Sequence, residues 1–438
     1  MTRDIRLARA RAALWSLLLV TLPVAGAPAR ADVQPGDVIT QDNMQKADGL
    51  LCPTQEYFLK HGMTMNIVPY QRYEWPNVYK DATERNAAQV RLSPDGREIL
   101  NYVAGAPFPE IDPKDPQAAY KIMWNNEHPP WWTDNLGAAW VMQMVSAQGR
   151  VERQFGSRFW RRMRWDGRLR MDPKPTLPHD PPITYTEGWG PLSMPNDLKG
   201  AGVMNIRYSP RDVPDDSYMY IPELRRVRRL SMANRSDSFW GTDIDIDSVW
   251  GFNAKIAFWT FRLLADKQML VSAHSGKYGS DGFCAAADTG GGVRTFAPCV
   301  NWEKRRVYVI EGTPTGYGEQ YACSKRVMYI DAEFYNMNFQ ECYDQSGQLW
   351  KAWYMVFDLS KKPNPQSPRN YEEEELFTPF GGMVDMQTDH ASRWDCGAQY
   401  PGNFNVWEKQ YDWYFHEDMP WNNPDVFTVN DLIRNGRD

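Results

Sequence analysis

The sequence predicts a mainly β protein of the α+β class, and three observations carry that prediction. Aromatic residues fill 13% of the 438 positions, with 19 Trp, 22 Tyr and 18 Phe. Large flat side chains suit pleated, half-buried surfaces or the wall of an apolar pocket. Between Arg306 and Phe357 three segments alternate apolar and polar residues with period two and are separated by turn residues, the pattern of an antiparallel meander. Helical patterning is confined: Gln45 to His61 carries Ala47, Leu50, Leu51, Phe58 and Leu59, and the signal turns β-like from about Asn86.

At the N-terminus, Arg3, Arg6, Arg9 and Arg11 precede an apolar stretch from Ala12 to Gly26, followed by Ala29-Arg30-Ala31. This is the order of a cleavable, Sec-type signal peptide spanning residues 1–31; the apolar part is short for a membrane anchor, and no arginine pair marks the twin-arginine route. The first cysteine is Cys52, so nothing at the cleavage point can be lipidated. Residues 32–438 are then expected to form a single large exported domain in the periplasm. The whole chain has 49 basic and 55 acidic residues; cutting after Ala31 leaves 44 and 54, a net charge of -10. That balance argues against a dedicated nucleic-acid binder. The absence of any apolar run of about 18 residues excludes a polytopic membrane protein and leaves peripheral contact only.

Along the domain, Pro173, Pro175, Pro178, Pro181, Pro182, Pro191 and Pro195 read as a long ordered loop over 173–196, the one candidate sub-boundary, because proline is excluded from central strands and helix interiors. Arg306–Glu311 ends at the turn signal Gly312-Thr313-Pro314. Arg326–Phe334 sets Met328, Ile330, Ala332 and Phe334 on one face, and Leu349–Phe357 is apolar on nearly both faces, which predicts cover on each side. Beyond Pro401 the chain is aromatic but aperiodic and is expected to wrap the surface.

Six cysteines in an exported chain point to disulfides. Cys323 and Cys342 flank a hairpin and Cys284 and Cys299 bracket a glycine-rich loop; Cys52 with Cys396 is left by subtraction. No Cys/His spacing fits zinc, so neither a metal nor another cofactor is expected.

Catalytic signatures are missing: there is no GxSxG, HExxH, Walker A or strand-linked GxGxxG. Asp389-His390 could form an acid–base step, though such a step is more often structural. Asp288-Thr289-Gly290 imitates an aspartic-protease triplet, but that chemistry needs two carboxylates and no second triplet is present. Asp243-Ile244-Asp245-Ile246-Asp247 reads as a strand with three acids on one face, about 6–7 Å apart, better suited to pairing with the nearby arginines than to chelating calcium. Those arginines form two groups. Arg150, Arg153, Arg158, Arg161, Arg162, Arg164, Arg168 and Arg170 interleave with Phe155, Phe159, Trp160 and Trp165, while Arg225, Arg226, Arg228 and Arg229 surround Val227. Two readings are open: a face for anionic lipid or an acidic partner, or a solvated strand face whose arginine stems cover aromatic rings.

The block Ser217-Tyr218-Met219-Tyr220-Ile221-Pro222-Glu223-Leu224-Arg225-Arg226-Val227-Arg228-Arg229, with Ser236–Asp243 and Gly251-Phe252 after it, resembles a family of bacterial exported proteins, domain of unknown function 1329, related to the LolA/LolB lipoprotein carriers. Weaker matches at Gly105–Pro109, Ile122–Asn125, Arg305–Gly312, Lys325–Val327 and Asp344–Lys351 extend the likeness over about residues 35–395. The resemblance implies a strongly curved antiparallel sheet, a half-open barrel with helices in or over its concave face and an apolar cavity between. It implies a carrier of a lipid, acyl chain or sterol-like molecule in outer-membrane lipoprotein-sorting or related envelope transport, often alongside an RND-type exporter. An adaptor for such an exporter, and a lipid- or glycan-modifying enzyme, are the alternatives. No catalytic residues transfer from the family; its motif residues Arg226, Arg229, Asp237 and Asp243 fit salt bridges that pin strands. For a cavity of this kind, Ile330, Phe334, Trp350, Trp353, Met355 and Phe357 are the candidate lining residues, and core packing explains each equally well.

Overall fold

The computed structural model describes residues 33–286, 293–316, 321–363, 369–396 and 413–437. The signal-peptide segment, the Asp288-Thr289-Gly290 triplet and residues 401–412 of the aromatic tail lie outside the described residues.

Six strands from the first half of the chain form one antiparallel meander: β1 (Asn135–Ser146), β2 (Val151–Arg164), β3 (Ile183–Trp189), β4 (Gly202–Tyr208), β5 (Asp216–Ile221) and β6 (Arg226–Leu230). Each pairs with the next. The second half supplies another: β7 (Trp259–Val271), β8 (Asn301–Pro314), β9 (Lys325–Asp331), β10 (Met337–Tyr343), β11 (Leu349–Met355), β12 (Phe380–Asp385) and β13 (His390–Cys396). The meander predicted from Arg306 to Phe357 has four strands rather than three, β8 to β11, because Met337–Tyr343 pairs as β10 between β9 and β11. The two halves join through their outermost members in sequence, because β13 pairs with β1 from His390↔Ser146 to Cys396↔Trp140. The order across this part of a 17-stranded sheet is β6-β5-β4-β3-β2-β1-β13-β12-β11-β10-β9-β8-β7. Among the described residues β6 pairs only with β5 and β7 only with β8, so the sheet is open.

Successive side chains point to opposite faces, and both faces are covered. On one, Ala352 and Tyr354 of β11 and Val327 and Tyr329 of β9 pack against Phe58 and Leu59 of helix α1 (Pro53–Lys60); Phe58 meets Tyr354 edge-on at 4.9 Å. Proline at the first helical position and Gln55, whose side chain accepts from the Cys52 N–H at 2.9 Å, start this helix. On the other face, Met328 and Ile330 pack with Ile122 and Met123 of α3 (Ala118–Glu127), while α2 (Asn77–Asn86) seats its Tyr79 hydroxyl on the His128 carbonyl at 2.7 Å. This two-sided cover is why β11 is apolar on alternate and intervening positions alike. A last helix, α4 (Val429–Arg437), packs Leu432 with Met204 and Tyr220 of β4 and β5.

Three sequence expectations are corrected. The 173–196 stretch is not a loop throughout: β3 lies inside it, buried at every position and paired on both edges. Its prolines flank the proline-free run Ile183–Trp189 and leave its N–H groups free to pair. The tail does not simply wrap the surface, since Trp413, Tyr414 and Phe415 are buried and pair with Ala138, Gly137 and Leu136 of β1. Among the cysteines, Cys284–Cys299 and Cys323–Cys342 are bonded as expected, but Cys52 and Cys396 are free and buried in different core clusters.

Candidate functional site

Period-two alternation along five strands builds the wall of one apolar cavity. Trp140 and Met142 come from β1, Trp160 from β2, Trp189 from β3, Trp394 and Cys396 from β13, and Trp353 from β11. In sheet order these strands run from β3 to β11 with four strands between, a span of about 24 Å if the sheet were flat. The cavity measures only about 550 Å³ including its open mouth, so side chains from strands this far apart reach it because the sheet curls. The remaining wall is the 236–253 segment, which lays Phe239, Trp240, Ile244, Val249 and Trp250 over the curled face. Seven of the lining residues are tryptophans. The space is a narrow slot between aromatic rings.

Carboxylates hold the covering segment down. The Asp243–Asp247 run is not a strand; it passes from a turn into a short 3-10 turn, Ile246–Ser248, and its three acids diverge instead of sharing a face. Asp243 accepts from Ser392 Oγ at 2.7 Å and lies 2.8 Å from His390 Nδ1. Asp245 accepts from Arg326 at 3.1 Å and Asp247 from Arg235 at 2.7 Å. The partners are therefore arginines of other groups than the two prominent clusters. Hydrogen bonding to Asp243 raises the His390 pKa against the opposing effect of burial. His390 and Ser392 both bind the same Asp243 oxygen, so no serine–histidine contact of nucleophilic type forms. Asp389 accepts from the Tyr57 hydroxyl at 2.8 Å and does not pair with its neighbour.

Half of the first arginine cluster is not a solvent or docking face: Arg161, Arg162 and Arg164 of β2 and Arg168 beyond it are buried, whereas Arg150 and Arg153 pair with Glu152 and Asp197 at the surface. Arg162 lies 3.3 Å from Glu187 and stacks over the Trp132 ring at 3.6 Å; Arg161 lies 3.7 Å from Asp431 of α4, and burial pushes its pKa down to about 10. Glu187, wholly buried, also accepts from the cavity indoles Trp160 at 3.2 Å and Trp250 at 2.8 Å. Its other oxygen accepts from Asn253, whose carbonyl takes Arg207 at 2.8 Å.

Arg207 leads to a second, polar cleft between α3, β4 and the 97–103 segment, lined by Tyr102, Glu127, His128, Asp166, Arg211 and Lys255 among others. There Arg207 binds Asp215 at 2.7 Å and Glu127 at 2.9 Å, and Lys255 donates to the carbonyls of Tyr208, Pro210 and Val213. Burial pushes Asp166 up to about 7 and Lys255 down to about 8, and it holds His128 neutral.

Of the residues expected to line a cavity, Trp353 does. Phe334, Met355 and Phe357 sit in the same buried cluster without reaching the wall, and Ile330 and Trp350 belong to the cluster around α3. Among the motif residues, Arg229 pairs with Asp216 across β5 and β6, Asp237 accepts from Asn234 at 3.0 Å, Asp243 pins the covering segment, and Arg226 is exposed on the edge strand. The tryptophans at 140, 160, 189, 240, 250 and 394 were not anticipated. For Trp140 the signal was present, as Ala138, Trp140, Met142 and Met144 alternate through β1. Among the described residues no cluster of His, Cys, Asp or Glu is placed to hold a metal ion, and no helix is long and apolar enough to cross a membrane.

A family model described as protein of unknown function (DUF1329) matches residues 38–432. The chain belongs to the DUF1329 family. No curated protein matches it. Solved structures similar to this family member include a Vibrio parahaemolyticus domain described as an outer membrane lipoprotein-sorting protein, 17% identical over 72% of this chain and 98% of that one, with a TM-score of 0.45. A DUF1329 family protein from Desulfovibrio piger is 13% identical over 68% of this chain and 92% of that one, with a TM-score of 0.41. A LolA superfamily protein from Nitrosomonas europaea is 12% identical over 71% and 98%, with a TM-score of 0.37.

Proposed function

We propose that this DUF1329 protein is a non-catalytic periplasmic carrier that holds a hydrophobic molecule (a lipid, acyl chain or sterol-like cargo) in the tryptophan-lined slot. The observation that carries the reading is the slot itself, where strands from both halves of the chain and the 236–253 segment enclose apolar surface almost alone. Moving cargo from water into such a site gains about 25 cal/mol per Å² of apolar surface buried, without any polar contact having to be exact in position. A flexible chain can part the covering segment, which is held mainly by side-chain bonds rather than by strand pairing.

Delipidated protein is expected to bind a fluorescent apolar probe, with native mass spectrometry of untreated protein showing a co-purified apolar ligand. Absence of both would end the carrier reading. Handover to an RND-type exporter is the finer part of the proposal, supported by the family resemblance alone; cross-linking in intact envelopes tests it. An adaptor docking through its arginine faces would have to use the exposed group Arg225, Arg226, Arg228 and Arg229, because Arg161, Arg162 and Arg164 are buried.

A further inference from the structure

The β5–β6 hairpin carries charge that the fold does not use. Over residues 216–230 four arginines, Arg225, Arg226, Arg228 and Arg229, stand against two acids, Asp216 and Glu223. All four arginines are exposed. Arg229 pairs with Asp216 across the hairpin, while Arg225, Arg226 and Arg228 have no ion-pair partner among the described residues. Exposed arginines on other strands are matched, Arg262 with Glu311 and Arg306 with Asp266.

The turn Pro222–Leu224 joins the two strands. Leu224 is 58% exposed, the highest value among the exposed large apolar side chains of the described residues. Arg225 follows it with a φ of 49°, a left-handed conformation that glycine adopts at lower cost. The tip therefore sets a leucine beside an arginine where the backbone alone favours a glycine. Charge on an edge strand also keeps foreign strands away, and β6 is an edge because it pairs only with β5. That role accounts for Arg226 and Arg228. It accounts for neither Arg225, which lies in the turn, nor an exposed leucine.

We infer that the β5–β6 hairpin is a contact site for an anionic lipid bilayer, with its arginines on lipid phosphates and Leu224 at the boundary of headgroups and acyl chains. Guanidinium forks match phosphate oxygens, and an apolar side chain beside them suits a surface with hydrocarbon beneath its charge. The net charge of -10 over residues 32–438 sets the rest of the molecule against an anionic surface, so the hairpin leads the approach. Three unpaired arginines and one leucine give a reversible contact rather than an anchor. Arg228 lies opposite Met219, and by alternation Arg226, Arg228 and Leu230 share one face. Met219 and Leu230 pack against the cluster that contains the slot residues, so the bilayer meets the slot side of the sheet. This contact does not depend on what the slot holds.

Co-sedimentation with vesicles tests it. At low salt the purified protein is expected to bind vesicles in which about a third of the lipid is phosphatidylglycerol, to ignore vesicles of phosphatidylcholine alone, and to dissociate as salt approaches about 1 M. Arg226→Gln and Arg228→Gln are each expected to weaken binding about fivefold, and together about 25-fold. Leu224→Ser leaves the charge unchanged and is expected to weaken it about three- to tenfold. A polarity-sensitive fluorophore on Leu224→Cys is expected to shift to the blue on binding. Arg150→Gln, in the other arginine group and paired with Glu152, is expected to change nothing. All of these positions are exposed, so folding and apolar-probe binding in the slot stay as in the natural chain. Equal binding to both kinds of vesicle, no binding to either, or binding that survives loss of both arginines overturns the inference. Binding indifferent to Leu224→Ser and without a blue shift also overturns it and gives the face to an acidic protein surface. The carrier reading, tested by the apolar probe, survives each of these results.

Discussion

Two hollows lie on either side of the Glu187–Asn253–Arg207 chain, and they are opposites. In the polar cleft the charges answer one another: Arg207 has Asp215 and Glu127, Arg164 has Asp166 at 3.1 Å, and Lys255 has three carbonyls. In the tryptophan slot almost nothing is polar, and the wall is aromatic and aliphatic apart from Cys396. The cleft looks richer in chemistry, yet its groups are committed to each other and hold α3 to the sheet. Perturbed ionisation marks candidate sites only in probability, and here the shifted groups of the cleft are engaged in holding the fold together.

The largest expected effect comes from breaking the cleft. Arg207→Ala leaves Asp215 and Glu127 buried without their partner and should cost about 3–5 kcal/mol in urea unfolding, with dye binding in the slot retained wherever the protein is folded. Trp353→Ala attacks the other side. It should cost about 2–4 kcal/mol, toward the low end for a large aromatic because the site already borders empty space, and it should change ligand selectivity where Arg207→Ala does not. A smaller effect is expected from Asp166→Asn. The carboxyl's pKa is raised from its ordinary value to about 7, so between about pH 4 and 7 the folded state holds a proton that the unfolded state releases. Stability therefore falls as pH rises through that window, and the asparagine variant should flatten the slope, on the order of 2 kcal/mol by pH 8 after discounting for partial exposure.

Smallest is the pin on the covering segment. The His390 pKa is raised by Asp243, so the stability it contributes is complete below the unfolded value of about 6.5 and is lost as pH rises through the folded one. Dye release should accordingly quicken from pH 6 to 8.5, and His390→Gln should remove that dependence. An unchanged release rate across this range in the natural chain would show that the pin does not govern access.

The contrast also explains what the sequence could disclose. The meander from β8 to β11 was legible because alternation is a local signal, and the two disulfides because their cysteines bracket a hairpin and a loop. Asp243–Asp247 misled for the same reason: a D-I-D-I-D alternation mimics a strand, but its acids are claimed by Arg326, Arg235 and His390 from distant positions. The β2 arginines were read as an outer face because nothing local announces Glu187 or Asp431 as partners. Trp353 lay within a recognisable strand and so was found. Trp240 and Trp250 sit on an irregular segment with positive φ, where no periodicity points the ring inward. A cavity assembled from several strands and one covering segment is a long-range object, and the sequence discloses it only through family resemblance.

The seam between β1 and β13 has a consequence for how the molecule comes into being. Ser146 lies opposite His390, so the middle of the sheet is closed by residues about 240 positions apart. Such remote pairing is slow to find and costly in loop entropy. Until β13 and the later Trp413–Phe415 segment arrive, β1 carries an open edge, and unpaired strand edges invite association with other chains. The tryptophan slot, walled on one side by Trp394 of β13, is therefore complete only once this remote pairing has formed.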